Sequence, residues 1–176
     1  AMLVWGGAIS QGDAILERAS KCRFWDELPP FLYGFNQFFF HHDIPRARKA
    51  LEMAASRATY NAAGFRKFSI MLEAEQFKDE RLALAYLNQE RDNAKDLSLR
   101  SMLDKRVVRI EGLVTLRDAQ RRYEALYGKA LQSPELLVSS GVISSLPKDP
   151  MRLGYESVDG RFVLKELKYA GVSEAQ

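Results

Sequence analysis

The residues His41, His42 and Asp43 contain both histidines of the chain and are the first candidates for metal binding or acid–base chemistry. Neighbouring side chains on a helix point about 100° apart, so adjacent histidines cannot share a metal ion as an i, i+4 pair does. The sequence holds no further histidine that could complete a site. We therefore interpret these residues as the end of one helix followed by the Asp43 cap of the next.

Other signatures of catalysis are missing. The sequence has a single cysteine, Cys22, and no Gly-x-Ser-x-Gly motif, so it offers no recognisable nucleophile. Gly6-Gly7 lacks the spacing and the lysine of a phosphate-binding loop. Glu73 and Glu75 have the pattern of surface carboxylates. The sequence thus predicts a non-enzymatic protein with no catalytic residues, no cofactor and no metal.

Composition sets the broad class of the protein. Of 176 residues, 47% are hydrophobic and 28% are charged, which is typical of a globular chain with a sizeable core. The net charge of +3 is too small to argue for nucleic acid as a partner. The chain begins Ala-Met inside an apolar pattern, so we interpret it as a fragment. A leader or membrane anchor would then lie upstream.

Five arginines on a predicted long helix are the basis of an alternative function, a basic helical adaptor for nucleic acid or an anionic membrane surface. Acidic residues interleave with them, and such mixed-sign faces are usually solvated. The arginines are Arg106, Arg109, Arg117, Arg121 and Arg122, and the acidic residues are Asp104, Glu111, Asp118 and Glu124.

The elements of the chain are organised around a predicted helix pair at residues 24–56. Its first half is apolar on nearly every side, which is typical of a helix buried between other elements. Its second half begins with Asp43 as cap and Pro45 in the first turn. A stripe of small residues then lets the two helices approach closely. The first half carries Leu28, Phe31, Phe35 and Phe38, and the second half carries Ala47, Ala50, Leu51 and Ala54.

This helix pair recurs weakly along the chain. Ser10, Asp43 and Asp79 are residues of helix-capping type, and each precedes an alanine by four positions. A two-helix unit with a period near 34 residues resembles the tetratricopeptide repeat. For residues 10–91 the resemblance implies a right-handed stack of helical hairpins. The sequence as a whole predicts a mainly α fold, in which this stack precedes a long helix and a small C-terminal β-hairpin.

The remaining elements complete three predicted segments. Repeats occupy residues 1–94, a long helix packed on the repeats occupies residues 95–128, and a short helix, a proline-rich turn and a hairpin occupy residues 129–176. Gly112 separates two apolar stripes of the long helix that point in different directions, so the helix bends there or its halves pack on different partners. Gly128 is a predicted helix stop, and Asp159-Gly160 is a predicted hairpin turn.

Residues 119–165 resemble the C-terminal part of type II secretion pseudopilins, also found as a tail in some bacterial repeat proteins. The matching residues are Tyr123, Tyr127-Gly128, Ser133 to Leu137, Gly141, Leu146 to Pro150, Tyr155 and Asp159-Gly160. The glycine after Pro150 is delayed to Gly154, which departs from the pattern. The resemblance implies a bacterial envelope or assembly protein that holds other proteins. It also suggests calcium at Asp149 and Asp159, but a turn role is the simpler interpretation.

An aromatic surplus on the first helix of the middle hairpin indicates a partner-binding surface. Phe38, Phe39 and Phe40 spread over about 200° of a helix, so they cannot all face one core. The alternative is that neighbouring helices cover them. The repeat resemblance places six residues in a groove for a protein or peptide: Leu32, Asn36, Phe39, Phe40, Phe68 and Leu72. The sequence thus predicts a protein–protein interaction scaffold in a bacterial envelope, secretion or pilus-type assembly, and favours the envelope over the cytoplasm.

Overall fold

The computed structural model describes residues 7–165. These residues are mainly helical, as predicted, with 65% helix and a two-stranded antiparallel sheet near the C-terminus. The helices of this part are α1 (Ile9–Cys22), α2 (Leu28–Phe39), α3 (Ile44–Arg57), α4 (Ala62–Ala74), α5 (Glu80–Asn93), α6 (Leu97–Tyr127) and α7 (Glu135–Ser139), and the strands are β1 (Tyr155–Val158) and β2 (Arg161–Leu164). The apolar pattern at residues 2–5 lies outside the described residues.

The chain divides into two compact units, Ala1–Asp104 and Lys105–Gln176. The boundary falls within α6, whose first two turns belong to the first unit. The division at residues 94 and 128 that the sequence suggests stays a prediction. No helix within residues 7–165 has the length and apolar content that a bilayer crossing demands.

In the first unit, each helix from α1 to α5 packs on the next one along the chain. The predicted stripe of small residues on α3 is confirmed, since Ala47, Leu51 and Ala54 are fully buried. Gly34 of α2 sets the distance between α2 and α3, because a Cβ atom there would lie 3.0 Å from the Ala47 carbonyl oxygen. Small residues on both helices therefore create the close approach that the sequence predicts.

Two of the three predicted helix caps are confirmed. The Asp43 carboxylate accepts a hydrogen bond from the Arg46 backbone N–H at 3.0 Å, and the Asp79 carboxylate accepts one from Arg81 at 2.8 Å. The prediction for Ser10 is wrong, because α1 already begins at Ile9. A serine inside a helix resembles a serine cap when only its distance to the next alanine is considered.

The aromatic helix α2 packs between other helices, as its apolar pattern predicts, but it is not buried on every side. Leu28 of α2 remains 54% exposed. A helix buries as many faces as it has neighbours, whatever the hydrophobicity of the remaining face. Within residues 7–165, α1, α3 and α4 contact three sides of α2, whereas Leu28 and Phe39 on the fourth side are 54% and 48% exposed.

The second unit is built on the C-terminal part of α6. Its core contains Leu113, Leu116 and Ala119 of that helix, with Leu137 of α7 and Phe162 of β2. The second apolar stripe of the long helix therefore packs on the C-terminal segment, as one predicted option has it. The hairpin is confirmed with the predicted turn, in which Asp159 and Gly160 both adopt positive φ angles of 51° and 73°. Gly128 likewise ends α6 with a φ of 62°.

Candidate functional site

Three faces of α2 are occupied by neighbouring helices. Gly34 meets α3, as described above. Toward α4, the Phe31 ring lies 5.0 Å from that of Phe65, and the Phe38 ring makes an edge contact with Phe68 at 5.9 Å. Two polar residues, Asn36 and Gln37, face α1 and are only 4% and 3% exposed.

A single carboxylate satisfies the polar face of α2. Asp13 of α1 accepts hydrogen bonds from Asn36 Nδ2 at 2.8 Å and from Gln37 Nε2 at 3.0 Å. His41 Nε2 lies 2.7 Å from the same carboxylate. Buried amides need such partners, since an unsatisfied polar group costs about 1–3 kcal/mol. The histidine of the predicted candidate cluster thus contacts an aspartate and belongs to a helix–helix junction.

The fourth face of α2 carries an apolar stripe, formed by Leu28, Leu32, Phe35 and Phe39. Leu28 and Phe39 are exposed, and Leu32 and Phe35 are half-buried. These residues follow the spacing i, i+4, i+7 and i+11, which keeps them within about 60° of one another on a helix. Phe39 is 48% exposed, and its ring stacks on that of Phe35 with the centroids 5.6 Å apart. Phe40 extends the surface, because its ring meets the edge of Phe39 at 5.1 Å.

The six residues that the sequence assigns to a partner groove divide into two groups. Leu32, Phe39 and Phe40 lie at or next to the apolar stripe, and all three are at least partly exposed. Asn36 and Leu72 are 4% and 1% exposed, so they add almost no surface for a partner. Phe68 is half-buried and packs on the core of Ala47, Leu51 and Leu72.

Sequence reasoning missed Leu28 and Phe35 as members of the surface. Their spacing relative to Leu32 and Phe39 was a usable signal, because the four residues form one helical stripe. A second stripe through Phe31 and Phe38 has the same character, and the sequence does not indicate which one a neighbour covers. Two further aromatics just before α2, Phe24 and Trp25, are 72% and 62% exposed.

Both oxygens of the Asp149 carboxylate in the second unit accept hydrogen bonds from protein groups. It accepts hydrogen bonds from Arg109 Nε at 3.0 Å and from the backbone N–H groups of Met151, Leu153 and Gly154. Burial favours a raised pKa for Asp149, but the Met151 and Gly154 amides, the Arg109 guanidinium and the Leu153 amide outweigh it and lower the pKa. This geometry is that of a turn anchor, which agrees with the turn interpretation.

Three of the five arginines considered for an anionic partner bond within their own unit. Arg109 is 3% exposed and donates to the Lys165 carbonyl oxygen in addition to Asp149. Arg117 donates from Nε to the Phe162 carbonyl oxygen at 2.8 Å. Arg121 pairs with Asp118 on the same helix. The helix therefore uses part of its charge to hold the hairpin.

Tyr155 of β1 completes the attachment of the hairpin to α6. Its hydroxyl donates to the Arg109 carbonyl oxygen at 3.1 Å, and its ring lies against Gly112, where a Cβ atom would collide with it. Gly112 is therefore a contact point for the C-terminal segment.

Across residues 7–165, no group of three or more His, Cys, Asp or Glu side chains is arranged to hold a metal ion.

Comparisons of the chain with protein-family models, with curated proteins and with solved structures give no significant match. Its function is therefore inferred from the residues and contacts described above.

Proposed function

We propose that this protein is a non-enzymatic scaffold that binds a polypeptide partner through the apolar stripe of α2. We further propose that its first unit is a tetratricopeptide-like stack of helical hairpins. The exposed stripe carries the proposal. Aromatic and aliphatic side chains that remain in contact with water on a helix held by three neighbours gain free energy when a partner covers them.

The form of the stripe supports a particular mode of recognition. Its four members follow one helix for three turns, so a partner with a complementary apolar face, such as an amphipathic helix, can lie along it. The Phe35–Phe39 stack supplies flat aromatic area of the kind that is enriched at the centres of interfaces. The packing of α2 on three neighbours supports a preformed surface, which reduces the ordering cost of binding.

The resemblance of the C-terminal residues to pseudopilin tails supports a place in a bacterial envelope, secretion or pilus-type assembly. Several matching residues have structural roles in the second unit. Leu137 is fully buried, Asp149 anchors the turn, and Tyr155 docks on α6. These contacts give part of the matching pattern a role in stabilising the second unit. The envelope assignment itself stays a proposal that rests on the resemblance.

Replacement of Phe39 by alanine tests the proposed surface. We expect Phe39→Ala to reduce partner capture by at least about tenfold, because an interface anchor typically contributes 2 kcal/mol or more. The thermal midpoint should change little, since Phe39 is 48% exposed. Capture is measured by quantitative mass spectrometry of proteins retained by the tagged chain from an extract of its source cells.

Tyr60→Ala is the matched control, because Tyr60 is an aromatic residue that is 99% exposed and lies outside the apolar stripe. Capture by this variant should equal that of the unchanged protein. Equal capture by Phe39→Ala and the unchanged protein would contradict the placement of the site.

A further inference from the structure

A recess separate from the apolar stripe lies between α1, α2 and α3, within the first unit. It has a volume of about 460 Å³, which falls in the range of small ligand sites. Its apolar surface comes from Pro30 and Ala50, which are buried, and from Met53, which is half-buried. Pro30 and Tyr33, the α2 residues of this recess, lie more than about 120° around the helix from the middle of the apolar stripe.

Four cationic side chains line the recess, against one carboxylate. Three of the cations, Arg46, Lys49 and Arg57, come from one face of α3, and Lys21 comes from α1. The lining carboxylate is Glu17, which pairs with Lys21 at 2.9 Å. The recess therefore has an excess of positive charge after this pair is taken into account.

The remaining cations differ in their partners. Arg57 donates to the backbone carbonyl oxygens of Ser20, Arg23 and Asp26, none of which neutralises its charge. Arg46 lies 3.3 Å from the Asp43 carboxylate and is 69% exposed. Lys49 is exposed and has no hydrogen bond or ion pair with any residue of the described part of the chain. Lys49 is therefore the cation most available to a ligand.

Tyr33 adds a hydrogen-bond donor to this lining. Burial raises the pKa of its phenol, and the nearby Glu17 carboxylate raises that pKa further. A tyrosine hydroxyl, whose ordinary pKa is about 10, is a hydrogen-bond donor at neutral pH. Together, an apolar base, an uncompensated lysine and a phenolic donor fit a ligand with a carboxylate next to an apolar group.

We propose that this recess binds an acidic polypeptide segment whose glutamate or aspartate side chains flank an apolar residue. A space of this size admits one or two side chains, and its apolar base of Pro30, Ala50 and Met53 favours an apolar residue over a phosphate group. The ligand class depends on the proposed polypeptide-binding function, but the site is separate from the apolar stripe.

Fluorescence anisotropy with defined peptides tests this site in the full chain. The probe is a labelled twelve-residue peptide that repeats Glu-Leu-Asp, and the comparison peptide has lysine at every acidic position. We expect the acidic peptide to bind and the lysine peptide not to bind. Affinity should decrease as salt is raised, because screening weakens charge pairs at the surface. A third peptide, with serine in place of leucine, should bind more weakly because it cannot fill the apolar base.

Two charge-reversal variants distinguish binding in the recess from a general effect of the net charge of the protein. We expect Lys49→Glu to weaken the acidic peptide about tenfold, since an attraction is replaced by a repulsion. Lys78→Glu changes the net charge equally at an exposed loop position outside the recess, and it should leave the affinity within about twofold. Circular dichroism establishes that both variants are folded.

The remaining outcomes either support or overturn the site. Unchanged peptide binding by Phe39→Ala supports two separate surfaces, whereas its loss places the peptide on the apolar stripe and overturns the recess. Equal binding by Lys49→Glu and the unchanged protein also overturns it. The proposal is also overturned if anionic lipid vesicles or single-stranded DNA bind more tightly than the acidic peptide. The cations of the recess would then serve another class of ligand.

Discussion

At the scale of single residues, Asp13 connects α1 to α2 through partners that are 23 to 28 positions away in the chain. Its two amide partners, Asn36 and Gln37, are almost completely buried. Without the Asp13 carboxylate, the buried amides of Asn36 and Gln37 would have neither water nor a protein acceptor. The loss in free energy of unfolding therefore comes mainly from these two unsatisfied amides.

We expect Asp13→Ala to lower the free energy of unfolding of the first unit by about 2–3 kcal/mol. Urea unfolding followed by tryptophan fluorescence measures this effect, since Trp25 lies just before α2 in the first unit. Asp104→Ala removes an exposed carboxylate that lies 3.7 Å from Arg91, and it should cost under about 1 kcal/mol. Equal effects of the two substitutions would refute the role of the Asp13 network.

Asp149 and Arg109 form a buried ion pair, with side chains 3% and 4% exposed. Because the folded-state pKa of Asp149 is lowered, its contribution to stability is fully present above the unfolded-state value of about 3.9. That contribution is lost as the pH falls further, through the folded-state pKa. Removal of the carboxylate at neutral pH would leave the Arg109 charge buried without a partner.

We expect Asp149→Asn to destabilise the second unit by about 3–5 kcal/mol at pH 7, since one partner of a buried ion pair is lost. Hydrogen exchange of the β1 and β2 amides is the readout. The unchanged protein should lose protection as the pH falls below about 4, and the variant should show a shallower pH dependence. Asp159→Asn is the control, because asparagine tolerates the positive φ of that turn residue. Unchanged exchange in Asp149→Asn would contradict the anchoring role.

At the scale of elements, glycine has different roles in different helices. The nearest neighbours of a Cβ atom at Gly34 would be a backbone oxygen of α3 at 3.0 Å and the Ala50 Cβ at 3.1 Å. At Gly64 in α4, the neighbour is the end of the Asn61 side chain, which can rotate away. The first glycine therefore sets a helix–helix distance, and the second leaves room for a larger residue.

We expect opposite effects of the same substitution at these two positions. Gly34→Ala should destabilise the first unit by about 1–3 kcal/mol, because α2 and α3 must separate or deform. Gly64→Ala should stabilise it by up to about 1 kcal/mol through higher helix propensity. The thermal unfolding midpoints of the two variants, followed by tryptophan fluorescence, are compared with that of the unchanged protein. A stabilising Gly34→Ala would show that the α2–α3 contact tolerates a methyl group.

At the scale of the whole molecule, charge bears on the class of partner. The net charge is +3, and Arg109 and Arg117 use their guanidinium groups for contacts within the second unit. Release of counterions from nucleic acid requires several cations that are free to meet phosphates. The arginines of α6 therefore favour a structural role over a basic docking face.

We expect single-stranded DNA to bind with a Kd no tighter than about 10⁻⁴ M at physiological salt, the weak end of non-specific binding. Fluorescence titration of a labelled oligonucleotide at several salt concentrations measures this. Arg122→Glu, which reverses an exposed arginine of α6, should change the result little. Micromolar binding that falls steeply with salt and is lost in this variant would favour the adaptor function over the scaffold.

The sequence alone determined most of the helices, the Asp43 and Asp79 caps, the Asp159-Gly160 turn and the stop at Gly128. These features depend on residues within a few positions of one another, such as a carboxylate next to free backbone N–H groups. The small-residue face of α3 was also predictable, because alanines at helical spacing have few other uses.

Only the tertiary structure decided which side of α2 remains in contact with water. Phe31 and Phe35 are equivalent by residue type and periodicity, yet Phe31 contacts Phe65 of α4 and Phe35 lies in the exposed stripe. The polar Asn36 is buried because Asp13, from a different helix, supplies its acceptor. The identity of a neighbour is a property of chain topology, and local spacing carries no information about it. The candidate surface therefore became visible once α1, α3 and α4 were placed around α2.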